Sequence, residues 1–276
     1  MKKFILLISV ICCCSRLSAQ ELFVFTEPAS NMPAKSLGLK YTGKFIEGYH
    51  TNALEQRHML EVMLGLNKKW LVHLSTTISD MYSYPAVQWE SFRAYGKYRF
   101  YSNDEIHKHL RAAAFLEASY SVNEPFYDEI SMEGDQSGVR GGIIVTQLIH
   151  KLALSTTLSL SEVLQPERWT EGPSPYNYQS FNYSFSSGYL LFPRKYKSFN
   201  QTNFNLYLEF LGSSNLDKNQ YYLDMAPAIQ FIFNSNTKLN FGYRFQLYGN
   251  MHRMATSLYE VSIDGTFLNA LKFKRK

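Results

Sequence analysis

Cysteine is almost absent from this chain. The three cysteines, Cys12, Cys13 and Cys14, are consecutive and lie within the first nineteen residues. If those residues are removed on export, the remaining protein has no thiol and disulfides play no part in its fold. An alternative interpretation makes one cysteine the lipid anchor of a lipoprotein, but the bulky Ile11 precedes Cys12 where such an anchor needs a small residue.

Long hydrophobic runs are also missing after residue 19. No later window approaches the roughly 18 consecutive apolar residues of a membrane-spanning helix, so we expect no helical membrane protein. The run that is present, Phe4–Val10, follows two lysines and is followed by Leu17–Ala19, which ends in a small residue. This order is typical of a secretory signal peptide. We therefore predict a signal peptide over residues 1–19 and a mature chain that begins at Gln20.

Charge is sparse, and the excess of one sign is small. Lys, Arg, Asp and Glu make up 18% of the residues, and the formal net charge is +5. The basic residues are scattered among carboxylates and form no cluster or reader motif. The sequence therefore does not indicate a nucleic-acid-binding protein.

Aromatic residues are abundant instead, and they recur with a period of two. They make up 16% of the chain, with 20 Tyr and 20 Phe. Alternating apolar and polar residues over about ten positions are typical of the strands of a membrane β-barrel. Twelve such segments are predicted: Lys35–Phe45, Arg57–Leu66, Trp70–Ser79, Trp89–Tyr101, Leu110–Ser121, Gly138–Ile149, Lys151–Leu160, Tyr178–Leu190, Asn203–Leu211, Tyr221–Phe233, Lys238–Tyr248 and Ser257–Leu268.

The lengths of the links between these segments provide a second test. Links after even-numbered segments, such as 67–69 and 234–237, are mostly short, and links after odd-numbered segments are longer. Bacterial outer-membrane barrels have short periplasmic turns and longer external loops. Two even links, Ser102–His109 and Leu191–Thr202, are longer than this rule predicts. They are either extended turns or a sign that a pair of strands is miscounted there. With the amino terminus inside, all six long links are expected outside the cell.

A soluble β-sandwich is the main alternative, since it also alternates faces. Its core would have to bury many charged residues, which is prohibitive unless all are paired, whereas a barrel lumen accepts them. The sequence therefore predicts an all-β fold, a transmembrane antiparallel up-and-down β-barrel of about 12 strands. The residues expected to face its lumen are Lys40, Arg93, Lys97, Arg99, Arg111, Glu117, Glu209, Asp224, Arg244, Glu260 and Asp264.

The stretch FVFTEPASNMPAKS, Phe23–Ser36, lies between the predicted signal peptide and the first strand. It resembles the amino-terminal segment of uncharacterised outer-membrane β-barrel proteins of the Bacteroidota, and the resemblance implies the same compartment and fold. Pro28 and Pro33 forbid a long helix or a central strand here. We expect residues 20–34 to be a periplasmic segment or a plug in the lumen, or else a disordered tail, and residues 35–276 to form the barrel.

No catalytic constellation is specific enough to indicate an enzyme, and no cofactor is predicted. His73 and Ser75 lie on one strand face, as do the histidine and serine of the outer-membrane phospholipase family. However, that family's longer motifs are missing, and the alternation points both residues inward. A soft-metal site is an open hypothesis, since Met251, His252 and Met254 offer two thioethers and an imidazole in the last long link. His50 is a candidate for a further ligand there. Met32 is expected at the opposite end of the barrel, where it would contact the metal only at a later step of transport.

These observations predict a narrow outer-membrane pore or transporter for small polar solutes, with passage biased towards anions by the lumen arginines and lysines. Outer-membrane lipid and a small polar solute are the expected partners. The alternative is a structural or partner-binding barrel without conductance, in which the lumen charges pair into a rigid network. A barrel that captures or transports soft metal is a further alternative.

Overall fold

The computed structural model describes residues 23–47, 53–82, 86–164, 177–193 and 201–272. Over these residues the chain forms twelve strands: β1 (Ser36–Glu47), β2 (Leu54–Gly65), β3 (Trp70–Ser79), β4 (Gln88–Glu105), β5 (Lys108–Ser121), β6 (Gly138–Ile149), β7 (Leu152–Val163), β8 (Gln179–Phe192), β9 (Asn203–Asn215), β10 (Tyr221–Phe233), β11 (Thr237–Gly249) and β12 (Ser257–Phe267). Each strand pairs antiparallel with the next, and β1 pairs with β12 to close the barrel. The predicted all-β, twelve-stranded antiparallel barrel is confirmed.

Among the described residues, no helix is long and apolar enough to cross a membrane.

Three strands, β3, β6 and β10, have the predicted bounds, and most of the others are longer than predicted. The largest difference concerns the link Ser102–His109. It is neither an extended turn nor a miscounted strand pair, because β4 continues to Glu105 and β5 begins at Lys108, leaving only residues 106 and 107 as a hairpin turn. The sequence shows no alternation of apolar and polar residues there, because the ends of both strands are polar and mostly exposed.

Short turns gather at one end of the barrel and longer links at the other. The turns 66–69, 106–107, 150–151 and 234–236 lie at the end where β1 begins and β12 ends, which we call the turn end. His107, His150 and Asn234 have φ values of 64°, 53° and 50°, the left-handed conformation that tight hairpin turns require. The opposite end, with the links 80–87, 122–137 and 250–256, is the loop end.

The outer surface of the wall is apolar and carries aromatic residues near both ends. Leu116 and Leu158 on the outer face are 65% and 49% exposed. Trp70 packs on Tyr98 near the turn end, with ring centroids 4.8 Å apart, and Trp89 stacks on Tyr120 near the loop end. Large exposed apolar side chains between two aromatic belts are what a lipid-facing barrel surface requires.

The buried apolar core lies inside the barrel. Two segments that are not strands of the wall lie in the lumen and help to form this core. Phe23, Ala29 and Met32 belong to three separate clusters with inward-facing wall residues. A fourth cluster contains Ile130 and Met132. The lumen is therefore filled from both ends, by residues 23–35, which we call the N-terminal segment, and by residues 122–137, which we call the inserted loop.

Candidate functional site

The N-terminal segment crosses the lumen near the turn end. Met32 packs against Met63 and Leu71 on one side of the barrel. Phe23 packs edge-on against Tyr207 of β9, with ring centroids 5.6 Å apart. Because these wall residues belong to β2, β3 and β9, the segment spans the barrel rather than following one wall. Its two aromatic side chains and Met32 thus pack against apolar wall residues instead of being exposed to water.

Glu209 of β9 fixes the beginning of this segment. Its Oε1 accepts hydrogen bonds from the backbone N–H of Val24 at 2.8 Å and of Phe25 at 3.0 Å, and its Oε2 accepts one from Thr26 Oγ1 at 2.6 Å. Ser186 Oγ also donates to Oε2, at 3.2 Å. The fully buried carboxylate replaces the backbone partners that an irregular segment lacks.

Lys97 of β4 fixes the middle of the segment. Its ammonium is fully buried and donates to Glu27 Oε2 at 2.9 Å and to the carbonyl oxygens of Pro28 at 2.7 Å and Ser30 at 3.1 Å. Burial raises the pKa of Glu27, but the charge of Lys97, the charge of His73 and the hydrogen bond from Lys97 together outweigh burial and lower that pKa. The ammonium therefore has three acceptors, all from the N-terminal segment.

The inserted loop enters from the loop end and is held mainly by ion pairs. Its Glu133 contacts Lys44 and lies 3.5 Å from Arg93 Nη1. The charge of Lys44, followed by that of Arg93, holds the pKa of Glu133 well below its usual value, despite the opposing effect of burial. Residues 122–137, one of the six long links expected outside the cell, thus fold back into the lumen from the loop end. This loop carries five carboxylates and no Lys or Arg, so the basic residues of the lumen attract it.

Two arginines clamp the inserted loop at separate points. Arg57 Nε donates to Glu90 Oε2 at 2.8 Å, and its Nη2 donates to Asp135 Oδ1 at 2.5 Å. Arg253 pairs with Glu129 of the loop and with Asp224 of β10, through Nε–Oε2 and Nη1–Oδ1 distances of 3.0 and 2.8 Å. Both arginines are buried, so the loop is docked by desolvated charge pairs rather than by exposed ones.

Arg253 also contacts an aromatic ring. Its guanidinium carbon lies 3.7 Å from the centroid of the Tyr222 ring, a close cation–π contact. Burial raises the pKa of Glu129, but Arg253 and Arg244 outweigh burial and hold that pKa at about 2. Arg253, Arg244, Glu129 and Asp224 thus form one network that joins the loop 250–256, the inserted loop and the barrel wall.

A cavity of about 230 Å³ lies between the two inserted segments. The N-terminal segment lines one side with Val24–Glu27, and the inserted loop lines another with Glu129–Glu133. We call this cavity the chamber. Its charged lining residues nearly cancel: Lys40, Lys44, Arg93, Arg140 and Arg244 are opposed by Glu27, Glu61, Glu117, Glu129, Glu133 and Glu260.

The charge of the chamber wall is concentrated on one side. β1 to β6 contribute Lys40, Glu61, Arg93 and Glu117, among others, whereas β7 and β8 contribute uncharged residues such as Thr157, Ser159 and Ser184. Opposite charges also alternate from strand to strand, since Asp264, Lys40 and Glu61 are direct partners on β12, β1 and β2. The chamber wall therefore has a charged side, from β11 round to β6, and an uncharged side formed by β7 to β10.

The predicted lumen residues occupy different levels of the barrel. Lys40, Arg93, Glu117, Arg244 and Glu260 line the chamber. Lys97 and Glu209 hold the N-terminal segment, and Arg111 Nη1 donates to Ser30 of that segment at 3.0 Å. Asp224 pairs with Arg253, and Asp264 lies 3.3 Å from Lys238 Nζ. Arg99 lies at the turn end, where its Nη2 donates to the carbonyl of Lys68 at 2.6 Å, so it does not line the chamber.

The methionine and histidine side chains of the loop 250–256 do not share one environment. Met251 is 6% exposed and Met254 half-buried, while the exposed His252 ring packs against Phe126 and Tyr127. Within the described ranges, no group of three or more His, Cys, Asp or Glu side chains is placed to hold a metal ion. His50 lies outside the described residues. Soft-metal binding by Met251, His252 and Met254 stays a prediction.

His73 and Ser75 are both buried and face the lumen. They make separate contacts: His73 Nδ1 lies 3.5 Å from Glu61 Oε1, and Ser75 Oγ accepts a hydrogen bond from Arg93 Nε at 3.0 Å. A nucleophilic serine needs its base within hydrogen-bond reach. The two residues therefore lack the contact that a serine hydrolase site would show.

Several residues that build the site were not predicted, namely Glu27, Arg57, Glu90, Glu129, Asp135 and Arg253. Their partners lie far away in sequence, with separations of 124 positions for Glu129 and Arg253 and of 78 for Arg57 and Asp135. One usable signal was present: the acidic inserted loop faces a set of basic lumen positions. The five carboxylates of residues 122–137, with no Lys or Arg among them, were the sign that this link needs basic partners from elsewhere in the chain.

The closed antiparallel barrel, with its apolar outside and polar lumen, is the fold of outer-membrane β-barrels. Solved structures support this assignment. The chain is similar to a NanC porin, with a TM-score of 0.55 and 11% identity over 82% of this chain and 98% of that one. It is also similar to an outer-membrane channel from Pseudomonas putida F1, with a TM-score of 0.56 and 10% identity over 89% of this chain and 100% of that one.

Outer membrane phospholipase A from Escherichia coli is a weaker structural match. It has a TM-score of 0.42 and 12% identity over 87% of this chain and 95% of that one, which is too low to carry an argument. No protein-family model matches the sequence, and no curated protein sequence does so either. The comparisons thus show the fold.

Proposed function

We propose that this protein is an outer-membrane channel for small polar solutes whose lumen is closed at rest by the N-terminal segment and the inserted loop. The observation that carries the proposal is the polar chamber between these segments. A passage needs a polar interior of solute size and a way to admit the solute. The chamber provides the first, and the two segments are the movable parts that provide the second.

The outer-membrane location is supported by the surface of the barrel. Exposed leucine, isoleucine and phenylalanine side chains cover the outer face, including Leu74, Ile143 and Phe185. Such a surface is unfavourable in water and favourable in lipid. By the length rule for links, the turn end and the N-terminal segment lie on the periplasmic side. Export through a signal peptide over residues 1–19 is part of the proposal.

The nature of the segments' contacts supports gating. Glu209 and Lys97 hold the N-terminal segment by hydrogen bonds to its backbone and side chains. These bonds leave the wall-to-wall ladder of the barrel intact, so the segment can leave while the barrel stays closed on itself. Anion preference is a finer expectation, and the pairing of lumen cations with carboxylates argues for a weak one.

The rival function is a non-conducting barrel that serves structure or binds a partner. It is favoured by the double obstruction of the lumen, since both inserted segments are buried and ion-paired. An enzymatic role has less support, because His73 and Ser75 are not paired.

Planar-bilayer recording separates these functions. The full mature chain and a variant without residues 23–33 are inserted from detergent, and insertion is verified by the shift in gel mobility that folded barrels show on boiling. We expect brief or rare openings for the full chain and large, frequent ones for the deletion variant. A silent membrane with both proteins verified as inserted would favour the non-conducting barrel. Reversal potentials in a salt gradient measure the anion preference.

A further inference from the structure

Four chamber residues form a row across neighbouring strands. His73 of β3 is the direct partner of Tyr95 of β4, Tyr95 is the partner of Glu117 of β5, and Glu117 is the partner of Arg140 of β6. Directly opposite residues on adjacent strands point to the same face. All four residues line the chamber, so the row forms one continuous level of its wall.

Each member of this row has a buried polar atom with no hydrogen-bond partner in the described protein. These atoms are His73 Nε2, Tyr95 OH, Glu117 Oε1 and Arg140 Nε. His73, Tyr95 and Glu117 are 3%, 7% and 1% exposed. Buried polar groups in folded proteins are rarely left unsatisfied, and four in one row call for an explanation. A polar molecule in the chamber would satisfy them.

The other atoms of these side chains are held in place. Arg140 Nη2 donates to Glu117 Oε2 at 2.8 Å, and His73 Nδ1 lies 3.5 Å from Glu61 Oε1. The Tyr95 ring lies between the rings of His73 and Phe115, at centroid distances of 5.1 and 5.4 Å. The unpartnered atoms are thus fixed by their own side chains' contacts, which is the preorganisation that a binding site needs.

Charge decides which kind of molecule fits. Arg140 already pairs with Glu117, so an anion would compete with Glu117 and face the nearby Glu27. A cation would face Arg140 and Arg93, which lies 3.9 Å from Glu117. A hydroxyl group both donates and accepts, so one hydroxyl can donate to Glu117 Oε1 while another accepts from Arg140 Nε. The free atoms therefore match neighbouring hydroxyl groups on an uncharged molecule.

We propose that the row His73, Tyr95, Glu117 and Arg140 is a binding site for a small uncharged polyhydroxylated solute of the size of a monosaccharide. The proposal rests on the proposed function, because it names the solute class that the chamber admits. The cavity of about 230 Å³ agrees with this size. At about 30 Å³ per water, it has room for about seven waters or for one sugar ring that displaces them.

Isothermal titration of the refolded full chain in detergent tests the proposal with three probes of similar size. Glucose is uncharged, glucuronate carries a carboxylate and glucosamine an ammonium group. We expect saturable binding of glucose and at least tenfold weaker binding of both charged probes. A preference for either charged probe would overturn the proposal, and so would absence of glucose binding up to its solubility limit.

A matched pair of variants locates the binding. Tyr95→Phe removes only a hydroxyl without a protein partner, so the fold is expected to be unchanged. Tyr207→Phe makes the same change at another buried lumen tyrosine, which does not line the chamber and whose hydroxyl donates to Gln230 Oε1 at 2.9 Å. We expect glucose binding to weaken about threefold or more in Tyr95→Phe, as for one lost hydrogen bond, and to persist in Tyr207→Phe. Equal binding in both variants would contradict the site.

These outcomes are separable from those of the proposed function. Glucose binding that depends on Tyr95, in a barrel with no conductance, would reject the channel and retain the site. Conductance without glucose binding would retain the channel and reject the site.

Discussion

The backbone N–H of Val24 donates a hydrogen bond to Oε1 of Glu209 at 2.8 Å, although 185 positions separate the two residues in sequence. This contact ties the N-terminal segment, close to its first residue, to the barrel wall. Glu209 holds Phe25 and Thr26 in the same way. The carboxylate is therefore the principal polar attachment of the N-terminal segment to the second half of the barrel.

Replacement of Glu209 should release this part of the segment. Glu209→Ala removes the acceptor of three hydrogen bonds, and bonds to a charged group contribute about 1.5–3 kcal/mol each. We expect more frequent openings in bilayer recordings and faster protease cleavage within residues 23–28 from the turn end. Ser213→Ala is the matched control on β9, since the buried Ser213 Oγ has no hydrogen-bond partner in the described structure. Unchanged openings in Glu209→Ala would mean that Glu209 does not retain the segment.

Gly242 offers a steric route to the same result. A Cβ atom on Gly242 would lie 2.6 Å from the ring of Phe25, whereas one on Gly96 would meet no heavy atom within 4 Å. Gly242→Val should therefore displace Phe25 and raise the open fraction, at a cost of about 1–3 kcal/mol if the ring cannot move. Gly96→Val should behave as the unmodified protein. Equal gel-shift temperatures and equal conductance for the two variants would argue against the packing of Phe25 on Gly242.

Arg253 should stabilise the docked inserted loop more than any exposed residue near it. Arg253→Met leaves the carboxylates of Glu129 and Asp224 with Arg244 but without Arg253, so the cost should approach but not exceed the roughly 3–5 kcal/mol of a buried pair broken outright. We expect a lower temperature for the loss of the folded gel position. Thr256→Ala, at an exposed residue of the same loop, should change it little. Adding Glu129→Gln to Arg253→Met should recover part of the loss, and additive effects would contradict a direct coupling.

Acid should loosen the inserted loop within a defined pH range. The pKa of Glu129 is lowered to about 2 and that of Glu133 is well below its usual value. Because these pKa values are lower in the docked than in the free loop, their contribution to docking is complete above about pH 4.5 and is lost as the pH falls towards 2. A nitroxide label on Ser131→Cys should become mobile in this range, and a label on Ser235→Cys at the turn end should not. Mobility that rises already near pH 6, or is unchanged in a Glu129→Gln background, would contradict this account of the loop.

The barrel was predictable from sequence, and a plug near the amino terminus was one of the expectations, whereas the insertion of residues 122–137 was not predicted. The alternation in β11, with Leu239, Phe241 and Phe245 on one face, reports directly which residues face lipid, because the period of two is a local property of a strand. The inward course of residues 122–137 depends on partners such as Arg57, Lys44 and Arg253, which come close only when the barrel closes. Lys97 and Glu209 were predicted to face the lumen, but their partners in the N-terminal segment were not.

The length rule for links also has a physical limit. It identifies which end a link occupies, since tight turns and long loops alternate. It does not say whether a long link extends outward or folds back. Ile130 and Met132 would be exposed in an outward loop, and in the structure they are buried against Val163. Apolar residues within an acidic loop are therefore the local sign that such a loop packs inward.

Closure of the lumen by the N-terminal segment can be tested with a reversible cross-link between the segment and the barrel wall. The backbone N–H of Ala29 donates to Thr146 Oγ1 at 2.8 Å, which brings the two residues close enough for an engineered disulfide. The chain from residue 20 onward has no cysteine, so the pair Ala29→Cys and Thr146→Cys would be the only thiols, with each single variant as a control. We expect the oxidised double variant to be silent in a planar bilayer and to show channel openings once reductant is added to the same membrane. Openings of the same size and frequency before and after reduction, with the disulfide verified, would contradict closure by the segment.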